Sequence, residues 1–253
     1  MKKGKIIRIL MAGAFLLLTG CAAGATPPPA ATPSASEPEE EQPHNTTENS
    51  GFVQFASPVS GDKIAVMETS MGTIRIRLFP EHAPLTVENF VGLIEEGFYN
   101  DRNFHRVIND FMIQGGALNP DGSGGTSIFR DEGGNAQPFV DEFSDELRHF
   151  RGALSMANPG MPNHNLSQFF VVQADSIPES FAEQMRGAGF PEDVIAQYQL
   201  TGGTPHLDGG HTIFGQVIQG MDVVDAIAAV PTQAGDRPVD DVLIISLTVE
   251  TVE

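Results

Sequence analysis

Cysteine occurs once in the 253 residues, at Cys21, and tryptophan does not occur at all. A single cysteine excludes an intramolecular disulfide, so stability has to come from a hydrophobic core. Cations are scarce: Lys and Arg together number 14 against 33 Asp and Glu, a formal net charge of -19. Phosphate contacts need clustered Lys and Arg, so nucleic acid is excluded as a partner, and an anionic lipid surface would not attract the chain. No apolar run reaches the ~20 residues that span a bilayer. His82, His105, His149, His164, His206 and His211 show no HxxxH or HxH spacing, so no metal site and no cofactor are expected. What remains is 40% hydrophobic with 27 glycines, the composition of one loop-rich globular domain plus extras.

The N-terminus has its own chemistry. Lys2, Lys3, Lys5 and Arg8 precede the apolar stretch Ile9–Leu18, the pattern of a secretory signal. The stretch ends Leu18-Thr19-Gly20-Cys21, which resembles the lipobox of bacterial lipoproteins. That resemblance implies removal of residues 1–20 and attachment of a diacylglyceryl group to Cys21. Cleavage would remove four basic residues and no acidic one, taking the charge from -19 to -23. Lys63 would then be the only lysine left. Acyl chains on Cys21 would hold the protein at the extracytoplasmic face of the cell membrane, the lipid being its only membrane contact. Residues 21–61, rich in Pro, Ala, Ser, Thr and Glu, bury too little apolar surface to order themselves and are expected to form a disordered tether. Phe52, Val53 and Phe55 mark its junction with a domain over residues 62–252.

Within that domain, Lys63–Thr69 and Thr73–Phe79 alternate as a hairpin around Ser70-Met71-Gly72. Val87, Phe90, Val91 and Ile94 follow helical spacing, with Thr86 as the expected cap and Gly97 as the stop. Phe104–Gly116 reads FHRVINDFMIQGG, two apolar runs joined by Asn109-Asp110, which is the form of a second hairpin. Its alternation places Arg106 on one face of the first strand, and Met112 and Gln114 together on one face of the second. Polar groups inside such strands satisfy each other, carry a ligand, or are exposed. The glycine-rich NPDGSGGT (Asn119–Thr126) lacks the lysine of a P-loop, so it is read as a tight backbone path or the edge of a peptide groove. Residues 175–204 look like an insertion with two short helices, one carrying Phe181 and Met185, the other Val194, Ile195 and Tyr198. Met221, Val224, Ile227 and Ala228 suggest a second main helix, and Ile245, Leu247 and Val249 a closing strand. About eight strands with two principal helices fit a mainly β fold: a closed eight-stranded antiparallel barrel capped by two α-helices.

FHRVINDFMIQGG, GSGGTS, LSMAN, SQFFVV and LDGGHTIFG stand in the order and spacing of the cyclophilin family, which residues 62–252 resemble. The resemblance implies a peptidyl-prolyl cis/trans isomerase acting on proline-containing segments of exported or unfolded proteins, in a family that is mostly monomeric. Matched motif by motif, it implies a catalytic set of Arg106, Phe111, Gln114 and His211. Met112, Ala157, Asn158, Gln168, Phe170 and Leu207 would contact the substrate. The family usually has an aromatic residue, often Trp, before LDG; here His206 takes that place, a departure that bears on cyclosporin binding more than on catalysis. The chemistry fits these residue types directly. X-Pro rotation has a barrier of ~18–20 kcal/mol raised by amide resonance, so it needs no nucleophile, only a pocket for the ring and a fixed donor aimed at the prolyl nitrogen. The alternative is a non-catalytic chaperone or adaptor that holds Pro-containing peptides in the same groove.

Overall fold

A computed structural model describes residues 51–253. The expected signal peptide, Cys21 and the tether up to residue 50 lie outside the described residues. The elements in chain order are β1 (Lys63–Thr69), β2 (Gly72–Leu78), α1 (Pro84–Glu95), β3 (Arg102–Asn103), β4 (Arg106–Ile108) and β5 (Met112–Gly115). Then come β6 (Ala153–Met156), β7 (Phe169–Val172), α2 (Glu179–Gly187), α3 (Glu192–Thr201), β8 (Ile213–Gln219), α4 (Met221–Ala228), β9 (Thr232–Gln233), β10 (Arg237–Pro238) and β11 (Leu243–Thr251). Nine strands form one antiparallel sheet in the order β3-β11-β1-β2-β8-β6-β7-β5-β4, and β9 pairs with β10 separately. The protein is therefore mainly β, with four helices.

The sheet differs from the expected closed eight-stranded barrel. It has nine strands, and among the described residues no ladder joins the edge strands β3 and β4. Only Phe104 and His105 separate those two strands in sequence. The three steps from Asn103 to Arg106 reach at most ~11 Å, so the sheet has to curl until its first and last strands come near each other. The backbone groups at this seam are used elsewhere: Phe104 N–H donates to the Val242 carbonyl at 2.9 Å, and Val107 N–H to the Asp236 carbonyl at 2.8 Å.

Local chemistry explains the elements. In β1–β2 the Thr69 hydroxyl donates to the Gly72 carbonyl at 2.7 Å and accepts from Met71 N–H at 3.1 Å, closing the turn at Ser70-Met71. The resulting register pairs Met67 with Ile74 and Ala65 with Ile76, all fully buried on the inner face. α1 lays Val87, Phe90 and Leu93 into that interior, where the Phe90 ring meets Tyr99, Phe169 and Phe214 at 5.1, 5.7 and 5.1 Å. The helix begins before Thr86, with Pro84 in the first turn, where its missing N–H costs nothing. Thr86 is not its cap. Glu142 caps it from 56 residues away, accepting from Thr86 N–H and the Thr86 hydroxyl, both at 2.8 Å. The same carboxylate takes Leu85 N–H at 3.0 Å, an anion placed where the helix dipole favours one.

A second core lies under α2 and α3. Phe150, Ala182, Met185, Val194, Ile195 and Tyr198 are buried together, and Phe52 and Phe55 pack against them. Phe52 and Phe55 meet the Phe150 ring at 5.1 and 5.4 Å. The buried Gln54 side chain accepts Arg148 N–H at 2.7 Å and donates to the Arg148 carbonyl at 3.0 Å. The packed unit thus takes in Phe52–Phe55, upstream of residue 62. Both ends of the insertion are pinned at Gly202: its φ is 81°, and a Cβ there would stand 2.3 Å from the Asp175 carbonyl carbon. No side chain fits that approach.

Candidate active site

The β4–β5 hairpin pairs Arg106 directly with Gln114, and Ile108 with Met112. Asp110 turns the chain at φ 58°, left-handed backbone that Asp tolerates. The Arg106 guanidinium is bracketed by Gln114 Oε1 at 3.5 Å and Asp236 Oδ2 at 3.4 Å. Its side chain is 40% exposed and that of Asp236 49%, so this ion pair orients more than it stabilises, contributing at most ~1 kcal/mol. Gln114 Nε2 donates to Gln168 Oε1 at 3.0 Å, and Gln168 Nε2 donates to the carbonyls of Gly122 and Gly124 at 3.1 and 2.8 Å. The glycine-rich loop therefore presents its backbone to the site as a groove edge. A cavity of about 280 Å³ adjoins it, lined by Gln114, Gly124, Ala157, Asn158 and Gln168 among others.

Beside this polar edge is an apolar cluster, at the place where the resemblance expects the proline pocket. Met112 and Phe170 are buried in it, and Phe111, Ala157 and Leu207, each partly buried, pack against it. His211 stands edge-on to Phe170 at 5.5 Å. Its Nδ1 lies 3.0 Å from the Met156 carbonyl. A carbonyl only accepts, so Nδ1 carries the proton; burial, the largest influence, pushes the ring's pKa down and favours the neutral form. All ten expected site residues therefore lie in one connected region. Asn158 is the loosest: its Oδ1 accepts Gly160 N–H at 3.0 Å, and its amide reaches the Gly210 carbonyl only at 3.5 Å.

Sequence reasoning missed a buried polar chain behind the pocket. His149 Nδ1 and Asp208 Oδ1 are 2.9 Å apart, His149 Nε2 and Ser155 Oγ 3.0 Å, and the Tyr198 hydroxyl donates to Asp208 Oδ2 at 2.8 Å. The His149 ring stacks on Phe170 at 5.9 Å and 10°. Asp-His-Ser in this connectivity has the form of a nucleophilic triad, but Ser155 is 0% exposed and also donates to the Thr212 carbonyl at 3.0 Å. No substrate can reach its Oγ, so the arrangement supports the pocket floor and is not a nucleophile. Residues 59 apart in the chain supply His149 and Asp208, and no local spacing signals them.

His105, at the seam next to Arg106, is a second buried imidazole beside His149. Burial chiefly, with Arg106 adding to it, pulls its pKa down to about 4. His149 and His211 shift in the same direction, burial again leading. The unfolded chain protonates these rings near pH ~6.5, so below that it binds more protons than the fold does, down to about 4 in the case of His105. Stability is therefore fully present above ~6.5 and is lost as pH falls through that window. The urea midpoint is expected to drop between pH 7.5 and 4.5; equal midpoints would mean the rings protonate freely in the folded state.

A curled antiparallel sheet with an arginine-glutamine pair set beside an apolar cluster defines a class of mainly β protein. Comparison with known proteins makes that class specific. Residues 64–249 match the family profile "Cyclophilin type peptidyl-prolyl cis-trans isomerase/CLD". A Staphylococcus saprophyticus protein named for peptidyl-prolyl cis-trans isomerase activity is 44% identical over 201 residues, covering 79% of this chain and 98% of that one. A similarly named Staphylococcus haemolyticus protein is 48% identical over 202 residues, again covering 79% and 98%. Among solved structures, a Cryptosporidium parvum cyclophilin crystallised in the presence of the dipeptide Ala-Pro superposes with a TM-score of 0.59 at 28% identity, covering 75% of this chain and 99% of that one. The chain belongs to the cyclophilin-type peptidyl-prolyl cis-trans isomerase family.

Proposed function

We propose that this isomerase acts without a covalent intermediate, seating a proline ring on Met112 and Phe170 while Arg106 donates to the prolyl nitrogen. The observation that carries the reading is the pairing of Arg106 with Gln114 at the edge of that pocket. In the planar amide the nitrogen lone pair is delocalised and accepts poorly; halfway through rotation it is localised and accepts well. A donor fixed there binds the twisted state more tightly than either planar isomer, and this difference lowers the barrier. Arginine suits the role because it stays charged and offers a planar fork of donors. Gln114, Gln168 and Asn158 would hold the peptide backbone, and His211, with Phe111, Ala157 and Leu207, would wall the ring.

The clients under this reading are exported proteins. The signal-like N-terminus and Cys21 in a lipobox context support a lipoprotein at the extracytoplasmic face of the membrane, read as a monomer because the family is mostly monomeric. The test is a proline-limited refolding assay, paired with labelled-palmitate incorporation in cells. Wild type is expected to speed the slow refolding phase and to take up label, with Cys21→Ala losing the label. A folded protein that leaves the slow phase unchanged would favour the holding chaperone; label retained in Cys21→Ala would remove the anchor.

A further inference from the structure

The insertion reaches the rim of the pocket. α2 sets the Phe181 ring edge-on to His206, with centroids 6.1 Å apart at 81°, and His206 stacks on Phe111 at 5.9 Å and 23°. His206 immediately precedes Leu207, which packs in the pocket cluster. Three rings therefore make a continuous wall from the proline pocket out on to α2. Phe181 is only partly buried, while Ala182 and Met185, on the same helix, are buried against Phe150 and Tyr198. Those two residues seat α2; Phe181, only partly buried, packs against the same core and keeps part of its ring open.

We propose that Phe181 is a specificity-determining residue, through which the insertion selects a large apolar side chain close to the proline. This rests on the isomerase reading of the pocket given above. The two ring spacings put Phe181 no farther than about 12 Å from Phe111, the reach of three to four extended residues. A side chain one or two positions from a seated proline can therefore lie on the wall. The wall is built before the peptide arrives: the Tyr198–Asp208 hydrogen bond of 2.8 Å ties the insertion to the loop that carries His206 and Leu207. A preformed apolar surface costs little ordering on binding. An apolar wall of rings disfavours a charged side chain at the same place.

The experiment uses the full chain and short peptides with Phe, Leu, Ala or Glu on either side of a single proline. With wild type, kcat/KM for Phe or Leu at one of the two flanks is expected to exceed that for Ala by about tenfold, with Glu poorest. In Phe181→Ala that ratio is expected to fall to about threefold or less, and Phe181→Leu, which keeps apolar packing, to lie between. The ratio is read within each variant, so a partly unfolded preparation does not alter it. A wild-type ratio near one, or a ratio unchanged in both variants, overturns the proposal and leaves Phe181 a packing residue. No turnover of any peptide by wild type is a different failure: it overturns the isomerase reading and the proposal together.

Discussion

Replacing Arg106 with alanine is expected to lower kcat by roughly 10²–10³-fold while KM moves by no more than about twofold, the pattern left when one fixed donor that serves only the transition state is removed. The ground state would lose little, because the prolyl nitrogen of a planar amide hardly accepts and, under the proposed reading, the ring would be gripped by the Met112, Phe170 and Leu207 cluster rather than by Arg106. Arg106→Lys is expected to fall between wild type and alanine. It keeps the charge, but a single ammonium cannot fill the fork that Gln114 Oε1 and Asp236 Oδ2 bracket. Measuring kcat and KM separately in a peptide assay decides the matter. An alanine variant that keeps more than about a tenth of kcat would assign the acceleration to desolvation in the pocket.

Asp208→Ala is expected to destabilise the fold by about 3–5 kcal/mol and to lower Tm by roughly 10 °C, far more than its single charge suggests. The carboxylate is 5% exposed beside a His149 side chain that is 0% exposed. It accepts from His149 N–H at 2.9 Å, pairs with His149 Nδ1 and takes the Tyr198 hydroxyl. Removing it strands three donors in a site that water does not readily enter, at ~1–3 kcal/mol each before relaxation. Tyr198→Phe, which deletes one of the three bonds and keeps the ring, is expected to cost about 1 kcal/mol. Urea unfolding of both variants tests this. An Asp208→Ala protein as stable as wild type would show that the chain from insertion to pocket floor carries no energy.

What could be read from the sequence was local or borne by motif. The β1–β2 and β4–β5 hairpins, the core face of α1 and the two insertion helices follow from alternation or 3.6-residue spacing within a dozen residues. Arg106 opposite Gln114 follows from the same alternation. Convergence of Ala157, Gln168, Phe170, Leu207 and His211 on that pair could not be read from spacing, and rested on the family resemblance. The misses share one cause, distance along the chain. Glu142 caps a helix 56 residues away, Gln54 binds backbone 94 residues away, and His149 meets Asp208 across 59. No window over the sequence contains both partners. Two-residue strands such as β3 carry no periodicity, which is why the strand count came out low.

The seam between β3 and β4 bears on how such a protein survives its own work. Extended, unpaired polypeptide binds readily to any bare sheet margin, and a catalyst of unfolded chains, the proposed role here, would meet such polypeptide at every encounter. Here both margins are consecutive stretches of one chain, two residues apart, and the amides of Phe104 and Val107 are already committed to Val242 and Asp236. A client strand finds no row of free donors on which to template. Under the proposed reading, that would favour release of a client over its capture at the sheet margin.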